Sequence, residues 1–388
     1  MPPYSKAYAD AVVIGGGIVG ASIAYHLARK KAGKIILLER EILLGTGSTG
    51  RCAGGFRCQF STEINVRLSL LSVPRILAFQ DELDWPVDVH QDGYLFLLTG
   101  PEEVDAFRKS IALQNSLGAP SEFLEPGEIA HIAPHVSLDG VLAGAYCSQD
   151  GIADPNGMTQ GYANAARRLG VEIRTDIAAT GIRSSRGRLE GVETTGGYVP
   201  AGAVVNAAGP HAREVASWAG VDLPVHPERR HVYTTFPFTQ APASHLMVID
   251  FTTTFYFHRE SGGILMGMAD PNEPPSFNLA VNPDFLERVL EIGLKRYPDL
   301  TDAGINRAWA GLYEMSPDAH PILGKVQGPE GLYLANGFSG HGFQHAPAVG
   351  KLVAEEILLG SARTLDIAPL RLDRFHRRQE SIRENNVV

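Results

Sequence analysis

The chain has 388 residues, of which 44% are hydrophobic and 20% are charged, as in soluble globular proteins. This length predicts two domains, because single hydrophobic cores stop growing at about 250–300 residues. A formal net charge of −9 and a pI near 5.8 argue against nucleic acid or an anionic membrane surface as the main partner. No apolar run approaches the roughly 20 residues of a membrane-spanning helix, so no membrane span is expected.

The first ten residues and the cysteines bear on the location of the protein. The first ten residues have neither the apolar core of a signal peptide nor an arginine-rich transit pattern. The cysteines, Cys52, Cys58 and Cys147, are an odd number without metal-like spacing, which favours a reducing compartment. We therefore expect a cytoplasmic protein without a metal site.

A glycine motif follows the first apolar stretch, in "DAVVIGGGIVGASIAYHLARK" (10–30). Gly15, Gly17 and Gly20 form G-x-G-x-x-G between a short strand and an alanine-rich helix, and a second strand ends in Glu39. In a dinucleotide site these glycines allow a tight turn, approach of the backbone to a pyrophosphate, and packing of helix on strand. The helix N-terminus attracts the phosphates and the acid accepts from the ribose hydroxyls. The alternative is a purely structural turn.

The position of the acid favours an ADP-ribose without a 2′-phosphate, as in NAD or FAD. The motif alone does not choose between these two cofactors. The loop "GTGSTGRCAGGFR" (45–57), rich in glycine and hydroxyl groups, comes soon after the acid. Such a loop runs along the pyrophosphate toward the isoalloxazine in flavoproteins, although by itself it is also typical of a surface loop. We therefore favour FAD.

The remaining patterns alternate between α/β units and β-rich stretches, and they predict two interleaved domains of an α/β protein. The predicted elements are a strand in 92–100, a helix in 101–118, a helix and strand in 154–175, a buried strand in 202–212, β-rich stretches in 230–238, 247–260 and 263–270, a helix near 284–296, a strand and glycine turn in 331–343, and a helix in 345–357. The predicted domains are a cofactor domain of residues 1–85, 150–225 and 320–388 and a substrate domain of residues 86–149 and 226–319.

A second glycine-rich turn, "NGFSGHGFQHAPAVGKLVAEEI" (336–357), precedes the last of these helices. In a doubly wound sheet the ligand lies across the carboxyl ends of the strands, so a late strand contributes to the same site as the first. We expect the N-terminus of this helix, with Pro347 near its first turn, to lie at the far end of the cofactor. There its partial positive charge would stabilise the reduced anion of a flavin.

Four segments together carry a family resemblance: "VVIGGGIVGASIAYHLA", "STGRCAGGFR", "VVNAAGPHA" and "GFSGHGFQHAPAVGKLVAE". The chain resembles the D-amino-acid-oxidase superfamily of FAD-dependent oxidoreductases over nearly its whole length. Within the superfamily it is most similar to the group of sarcosine oxidase, dimethylglycine dehydrogenase and the L-proline dehydrogenase β-subunit. The segments "GGFRCQFSTEINVRLSL", "RAWAGLYE" and "RENNVV" are most similar to mitochondrial FAD-dependent oxidoreductase domain-containing proteins.

The resemblance implies a Rossmann-like FAD-binding domain interleaved with a substrate domain built on a large antiparallel sheet. It also implies a set of cofactor contacts that follows the FAD from its ADP half to its ring. These residues are Gly15, Gly17, Ile18, Val19, Gly20, Glu39, Arg40, Ser48, Thr49, Arg51, Ala53, Gly54, Gly55, Ile177, Ala208, Gly209, Gly311, Gly337, Ser339, Gly340, His341, Gly342, Phe343 and Gln344.

The chain departs from its relatives at four positions that matter for the chemistry. Arg51 stands where dimethylglycine-type enzymes carry a flavinylated histidine, and Gly311 where monomeric sarcosine oxidases carry a flavin-linked cysteine. We therefore expect noncovalent FAD. Gln344 and Leu265 stand at or near lysine positions of those oxidases, one of which is credited with oxygen activation. This difference favours a dehydrogenase.

An amino-acid substrate needs a cation for its carboxylate, and Arg57 is the first candidate because a guanidinium binds carboxylate bidentately. A structural salt bridge is the alternative. Tyr256 and Arg259 are second candidates, with packing as the alternative for the tyrosine. His341 is a candidate for shaping the site or tuning the flavin, with helix capping as the alternative, and Gln344 for a hydrogen bond to substrate.

Three functions agree with these observations. The first is an FAD-dependent dehydrogenase of small secondary or N-methylated amino acids, of the sarcosine, dimethylglycine or proline class, that transfers hydride to flavin N5. The second is an amine oxidase that passes electrons to oxygen. The third is a non-catalytic flavoprotein that acts as an assembly or interaction factor. An electron-transfer protein or a partner subunit is a possible partner of the first two.

Overall fold

The computed structural model describes residues 8–376 and 382–387. The strands, in chain order, are β1 (Ala9–Ile14), β2 (Ile35–Leu38), β3 (Gly55–Phe56), β4 (Val89–His90), β5 (Tyr94–Leu98), β6 (Ser121–Leu124), β7 (Ala143–Cys147), β8 (Gly151–Ala153), β9 (Glu172–Arg174), β10 (Ala179–Ser185), β11 (Arg188–Thr194), β12 (Val199–Asn206), β13 (His226–Thr235), β14 (Met247–Asp250), β15 (Phe255–Glu260), β16 (Gly263–Met268), β17 (Ile305–Met315), β18 (Ile322–Lys325) and β19 (Leu332–Asn336). The helices are α1 (Ile18–Arg29), α2 (Glu63–Leu77), α3 (Phe79–Leu83), α4 (Pro101–Leu117), α5 (Pro126–Ile132), α6 (Pro155–Arg168), α7 (Ala212–Ser217), α8 (Pro283–Arg296) and α9 (Gly342–Leu359).

The first sheet has a parallel centre in the order β9-β2-β1-β12-β19. The strands β10 and β11 extend it antiparallel beside the first half of β12, and β18 pairs antiparallel with β19. All four side chains of β2 are buried, as is typical of a strand covered on both faces. This doubly wound arrangement confirms the α/β fold class and the Rossmann-like sheet.

The register of this sheet brings the carboxyl ends of four strands to one edge. Ile14 at the end of β1 pairs with Leu38 of β2 and with Asn206 of β12, and Asn206 pairs with Leu334 of β19. The turns that follow these strands therefore meet, although they begin at residues 15, 39, 207 and 337. Ligands bind at such an edge in open α/β sheets.

The helix α9 packs along α1, so the last glycine turn lies beside the first. Ser22 Oγ of α1 donates to the carbonyl of Ala346 at 2.8 Å, and a side chain at Gly350 would collide with Ser22. The helix begins at Gly342, three residues before the predicted start at 345. Pro347 therefore lies inside the helix, in its second turn, and not near its first turn as predicted.

The second sheet has the order β17-β13-β16-β15-β14-β5-β7-β6, and its neighbours are antiparallel except for β14 and β5. This confirms the predicted large, mainly antiparallel sheet. The β-rich stretch 247–260 forms the two strands β14 and β15, because a turn at 251–254 with Thr254 at φ 62° reverses the chain. A small third sheet joins β3, β8 and β4.

The other predicted elements overlap observed ones. The helix α4 ends where predicted, at Gly118, which adopts φ 97° as a left-handed C-terminal residue. In the described residues the first sheet takes its strands from 9–38, 172–206 and 322–336, and the second from 94–147 and 226–315. The exact domain boundaries stay a prediction. No helix in the described ranges is long and apolar enough to cross a membrane.

Candidate functional site

Two adjoining cavities lie at the carboxyl edge of the first sheet. The larger is a cleft of about 590 Å³, within the usual range of about 300–1,000 Å³ for ligand sites. The smaller cavity, of about 70 Å³, lies between this cleft and the second sheet. Both are lined by Cys52, Tyr313, Gly340 and Phe343, so the small cavity continues the large one.

The first glycine turn forms one end of the large cleft. Gly15 has φ 111°, and a side chain there would collide with the carbonyl of Ala207, while a side chain at Gly20 would collide with the carbonyl of Gly15. Gly17, immediately before α1, lines the cleft together with the first residues of that helix. The positive end of the α1 dipole therefore faces the cleft, as a pyrophosphate requires.

The acid at the end of β2 lies beside this turn. Glu39 Oε2 accepts from the backbone N–H of Gly16 at 2.8 Å, and Oε1 accepts from that of Glu41 at 2.8 Å. Each carboxylate oxygen has a second lone pair, and the residue lines the cleft. The arrangement fits the ADP-ribose half of a dinucleotide.

The loop that follows β2 is fastened to β17 of the second sheet. Ser48 Oγ donates to the carbonyl of Leu312 at 2.6 Å, and Arg51 Nη1 to that of Ala310 at 3.0 Å. Trp309 Nε1 donates to the carbonyl of Arg51 at 3.0 Å. A Cβ at Gly311 would lie 3.0 Å from Arg51 Cβ, so the two positions at which relatives attach flavin are neighbours here. Neither residue is a nucleophile.

The last glycine turn lines the cleft beside the first. Gly340 has φ 93°, and a side chain there would collide with the ring of Tyr313. Gly342 and Phe343, the first residues of α9, line the cleft and place the positive end of that helix dipole at it. The described residues thus direct two neighbouring positive helix termini at one cleft, which fits a dinucleotide such as FAD.

Arg57 is the buried cation of the small cavity, with 4% of its surface exposed. Its guanidinium donates to the carbonyls of Gln59 and Asn386, and Nη2 lies 3.3 Å from His341 Nε2. The Cζ atom lies 4.1 Å from the centre of the Phe60 ring. Burial lowers the pKa of Arg57, although the carboxylates nearby partly offset this.

Two side chains of α9 and its preceding turn border the same cavity. Gln344 Oε1 accepts from the backbone N–H of Arg57 at 2.6 Å, and its Nε2 has no partner among the described residues. Because Arg57 can only donate to His341 Nε2, the proton of the neutral imidazole belongs on Nδ1, which also has no described partner. Burial and the Arg57 charge hold the pKa of His341 well below its usual value.

The second sheet supplies aromatic walls that sequence reasoning found only in part. Tyr256 lines the small cavity as predicted, but Tyr94 and Tyr313 line it as well. Burial raises the pKa of Tyr256 well above its usual value, so its phenol stays protonated. Burial likewise raises the pKa of Cys52 to about 11, so its thiol is not a reactive thiolate at neutral pH.

Arg259 is not brought to either cavity, and it is a wrong choice as a carboxylate ligand. It lies three positions after Tyr256 in β15, and alternate strand residues face opposite sides, so the two side chains point in opposite directions. Its Nη1 donates to the carbonyl of Pro242.

The other predicted cofactor residues divide into those that line a cavity and those that do not. The large cleft is lined by Gly15, Gly17, Ile18, Val19, Glu39, Arg40, Ser48, Thr49, Arg51, Ile177, Ala208, Gly209, Gly340, Gly342 and Phe343. The small cavity is lined by Ala53, Gly54, Gly55, Arg57, Tyr256, Gly340, His341, Phe343 and Gln344. Gly20, Gly311, Gly337 and Ser339 line neither and serve the packing around them.

The cleft also has walls that the sequence patterns missed. The rings of His211 and Phe277 stack with centroids 4.5 Å apart at its edge. Glu314 lines the cleft from β17, and burial raises its pKa to about 7. His211 and Glu314 lie within the segments "VVNAAGPHA" and "RAWAGLYE", but neither was predicted as a site residue, and Glu314 is positioned by the pairing of β17 with β13.

The chain matches known proteins over almost all of its length. The family model for FAD-dependent oxidoreductases (DAO) matches residues 10–356. The chain is 34% identical over 379 residues to mitochondrial dimethylglycine dehydrogenase of Rattus norvegicus, covering 92% of this chain and 44% of that protein. It therefore spans less than half the length of that relative.

Two further similarities extend over most of both chains. The chain is 31% identical to FAD-dependent oxidoreductase domain-containing protein 1 of Bos taurus, covering 95% of this chain and 85% of that protein. The crystal structure of L-proline dehydrogenase from P. horikoshii is 35% identical, with a TM-score of 0.89, and covers 95% of this chain and 98% of that one. The chain therefore belongs to the DAO family of FAD-dependent oxidoreductases, and FAD is its cofactor.

Proposed function

We propose that the protein oxidises the C–N bond of a small secondary or N-methylated amino acid, of the sarcosine, dimethylglycine or proline class, and acts as a dehydrogenase. The observation that carries this proposal is the buried guanidinium of Arg57 beside the small cavity. Among the described residues, no carboxylate oxygen lies within 4.0 Å of its nitrogens.

A buried cation without a contacting anion is costly, and it favours the entry of a negatively charged ligand. Three N–H groups of Arg57 are directed at Gln59, Asn386 and His341, which leaves two of the five without a described partner. The nearby Asp150 compensates the charge poorly, because burial raises its pKa to about 7. A substrate carboxylate would supply the missing counter-charge.

The remaining walls of the small cavity support a small aliphatic amino acid. Met247, Ile249 and Phe343 give it apolar surface for methyl or ring carbons, and the volume of about 70 Å³ limits the substrate to few heavy atoms. The free Nε2 of Gln344 is a donor for the substrate carboxylate. Arg57 and Gln344 together would fix the carboxylate and so orient a C–H bond beside the amine nitrogen toward the large cleft.

The family's cofactor supplies the redox step: when bound, FAD would be the acceptor for a hydride from a C–H bond beside the amine nitrogen, and water would hydrolyse the imine product. The protein orients the substrate and keeps Tyr256 protonated. The positive end of α9 favours an electron-rich cofactor at that end of the cleft. The substrate class agrees with the names of the dimethylglycine and L-proline dehydrogenase relatives.

The dehydrogenase assignment rests on the lack of a lysine where the oxidases carry one. Leu265 is buried in β16, and Gln344 is engaged with Arg57. No lysine lines the small cavity in the described part of the chain. We propose an electron-transfer protein as the acceptor.

Anaerobic mixing of the purified holoprotein with an amine panel tests the proposal. Sarcosine, dimethylglycine and L-proline should bleach the flavin absorption near 450 nm, with pyrrolidine, which is L-proline without its carboxylate, as the matched control. Bleaching by pyrrolidine as fast as by L-proline would contradict the role of Arg57. A flavin that no member of the panel reduces would instead favour the non-catalytic reading.

A further inference from the structure

Residues 382–387, here called the 382–387 segment, lie outside the part of the chain that the family model matches and yet enter the candidate site. We infer that this segment positions Arg57 for the substrate, with Glu384 holding the segment in place and the Asn386 carbonyl fixing the guanidinium. The inference rests on the proposed function of Arg57 and adds a residue set that the glycine motifs do not reveal.

Glu384 is held by five donors. Its Oε1 accepts from Ser61 N at 2.8 Å, Ser61 Oγ at 2.6 Å and Asn386 N at 3.0 Å. Its Oε2 accepts from Thr62 Oγ1 at 2.8 Å and Asn65 Nδ2 at 3.0 Å. The residue is 1% exposed. A surface-exposed carboxylate needs no such arrangement, and hydrogen bonds to a buried charge are among the stronger ones.

The backbone of the segment is fastened as well. Glu384 N donates to the carbonyl of Asp318 at 3.0 Å, and Asn385 N donates to Ser61 Oγ at 2.9 Å. Asp318 is in turn held by Arg374, whose Nε and Nη2 donate to its two carboxylate oxygens at 2.8 and 2.9 Å. The segment is therefore bonded both to the start of α2 and to the turn after β17.

Asn386 reaches Arg57 from this position. Its carbonyl accepts from Arg57 Nη2, and its Nδ2 donates to the carbonyl of Gln59 at 3.4 Å, which itself accepts from Arg57 Nη1. Asn386 is 2% exposed. The segment thus contacts the guanidinium directly through Asn386 and also binds the Gln59 carbonyl that holds Nη1.

The five hydrogen bonds to Glu384 also determine its charge. Burial alone would raise its pKa, but the hydrogen bonds from Ser61, Asn386 and Thr62 outweigh burial and lower the pKa, so the group is a carboxylate at neutral pH. This negative charge offsets part of the desolvation of Arg57 from a distance. Because both oxygens are occupied by donors, the carboxylate does not swing onto Arg57 and compete with a substrate carboxylate.

The test compares Glu384→Ala with Glu63→Ala in the holoprotein, using the best amino acid of the panel. Glu63 lies at the start of α2, exposed and paired with Arg67, and so controls for loss of a carboxylate near the helix start that Glu384 contacts. Release of the segment should raise KM about tenfold or more with kcat within about threefold, because substrate binding is weakened and the hydride step is not. FAD content and the kinetics of Glu63→Ala should match wild type.

Two further measurements keep the result decisive. If Glu384→Ala does not fold, Ser61→Ala removes one donor and should raise KM by a smaller factor in the same direction. A double-mutant cycle of Glu384→Ala and Arg57→Lys in chemical unfolding should be non-additive, whether or not the substrate class is right. Additive unfolding effects, or a kcat loss at unchanged KM, would overturn the positioning role. A flavin that no amine reduces, with a non-additive cycle, would overturn only the proposed substrate.

Discussion

The backbone N–H of Arg57 donates to Gln344 Oε1 at 2.6 Å and joins two residues that are 287 positions apart. The contact determines the orientation of the amide, because a backbone N–H requires an acceptor. Nε2 is consequently the amide atom without a described partner, in a residue that borders the small cavity. The same hydrogen bond therefore connects the loop of the proposed carboxylate ligand to α9, whose first residues line the cofactor cleft.

Gln344 should contribute a hydrogen-bond donor to the substrate. Gln344→Ala removes the donor and should lower kcat/KM about 10- to 100-fold, as expected for a lost hydrogen bond of about 1.5–3 kcal/mol to a charged group. Gln344→Glu still accepts from Arg57 but has no N–H to offer, so it should be as impaired or worse. Steady-state kinetics with the best amino acid measure the effect, and near-normal activity of Gln344→Glu would contradict a donor role.

Arg57 should bind the substrate carboxylate. Loss of the charge-assisted contact in Arg57→Ala should cost roughly 2–4 kcal/mol, or about 30- to 1000-fold in kcat/KM. Arg57→Lys keeps the charge but loses the planar fork, so it should fall between wild type and Arg57→Ala. FAD content is the control, since the ADP half lies at the other end of the cleft. A variant that loses FAD, or that keeps wild-type kinetics, would assign Arg57 a structural role.

FAD should be released intact when the protein is precipitated with acid. The two positions at which relatives attach flavin are occupied by Arg51 and Gly311, and the Arg51 guanidinium is hydrogen-bonded to backbone carbonyls. The measurement is flavin fluorescence in the supernatant against the washed pellet. Fluorescence that stays with the denatured protein would show a covalent link that neither position explains.

Reoxidation of the substrate-reduced protein by air should be slow. Reduction of oxygen proceeds through an anion that a nearby lysine would stabilise, and Leu265 and Gln344 provide no such charge. Stopped-flow mixing with air-saturated buffer should therefore give a much slower return of flavin absorption than mixing with a dye acceptor. Rapid peroxide formation during turnover would identify an oxidase instead.

Asp150 should make the protein less stable as pH rises from about 4 to 7. Burial raises its pKa from 3.8 to about 7, against the hydrogen bonds from Cys58 N and Gln59 that favour the charged form. Between these pH values the folded state holds a proton that the unfolded state has released. The stabilising contribution of the protonated Asp150 is therefore lost as the pH rises. The unfolding free energy of wild type minus that of Asp150→Asn, measured across this range, should decrease as the pH rises. A difference that rises with pH would contradict the shift.

Local patterns predicted turns of the chain that line the large cleft. Gly15, Gly17 and Gly20 act within six residues, where backbone angles and the start of α1 depend on the immediate neighbours. The same holds for α4, whose bounds follow from the proline at its start and Gly118 after its end. Side chains along β15 alternate between the two faces of the sheet, so the local sequence also places Arg259 on the face away from Tyr256.

The tertiary structure decided which distant residues meet. Whether Arg57 contacts Gln344 or the Asn386 carbonyl depends on the path of roughly 300 intervening residues, and no local periodicity encodes it. The start of α9 at Gly342 likewise follows from packing on α1 through Ser22, rather than from helix propensity. The substrate side of the site arises where two sheets and the 382–387 segment converge. The large cleft is lined by short glycine-rich turns, each determined by neighbouring residues, and for this reason it could be predicted from the sequence.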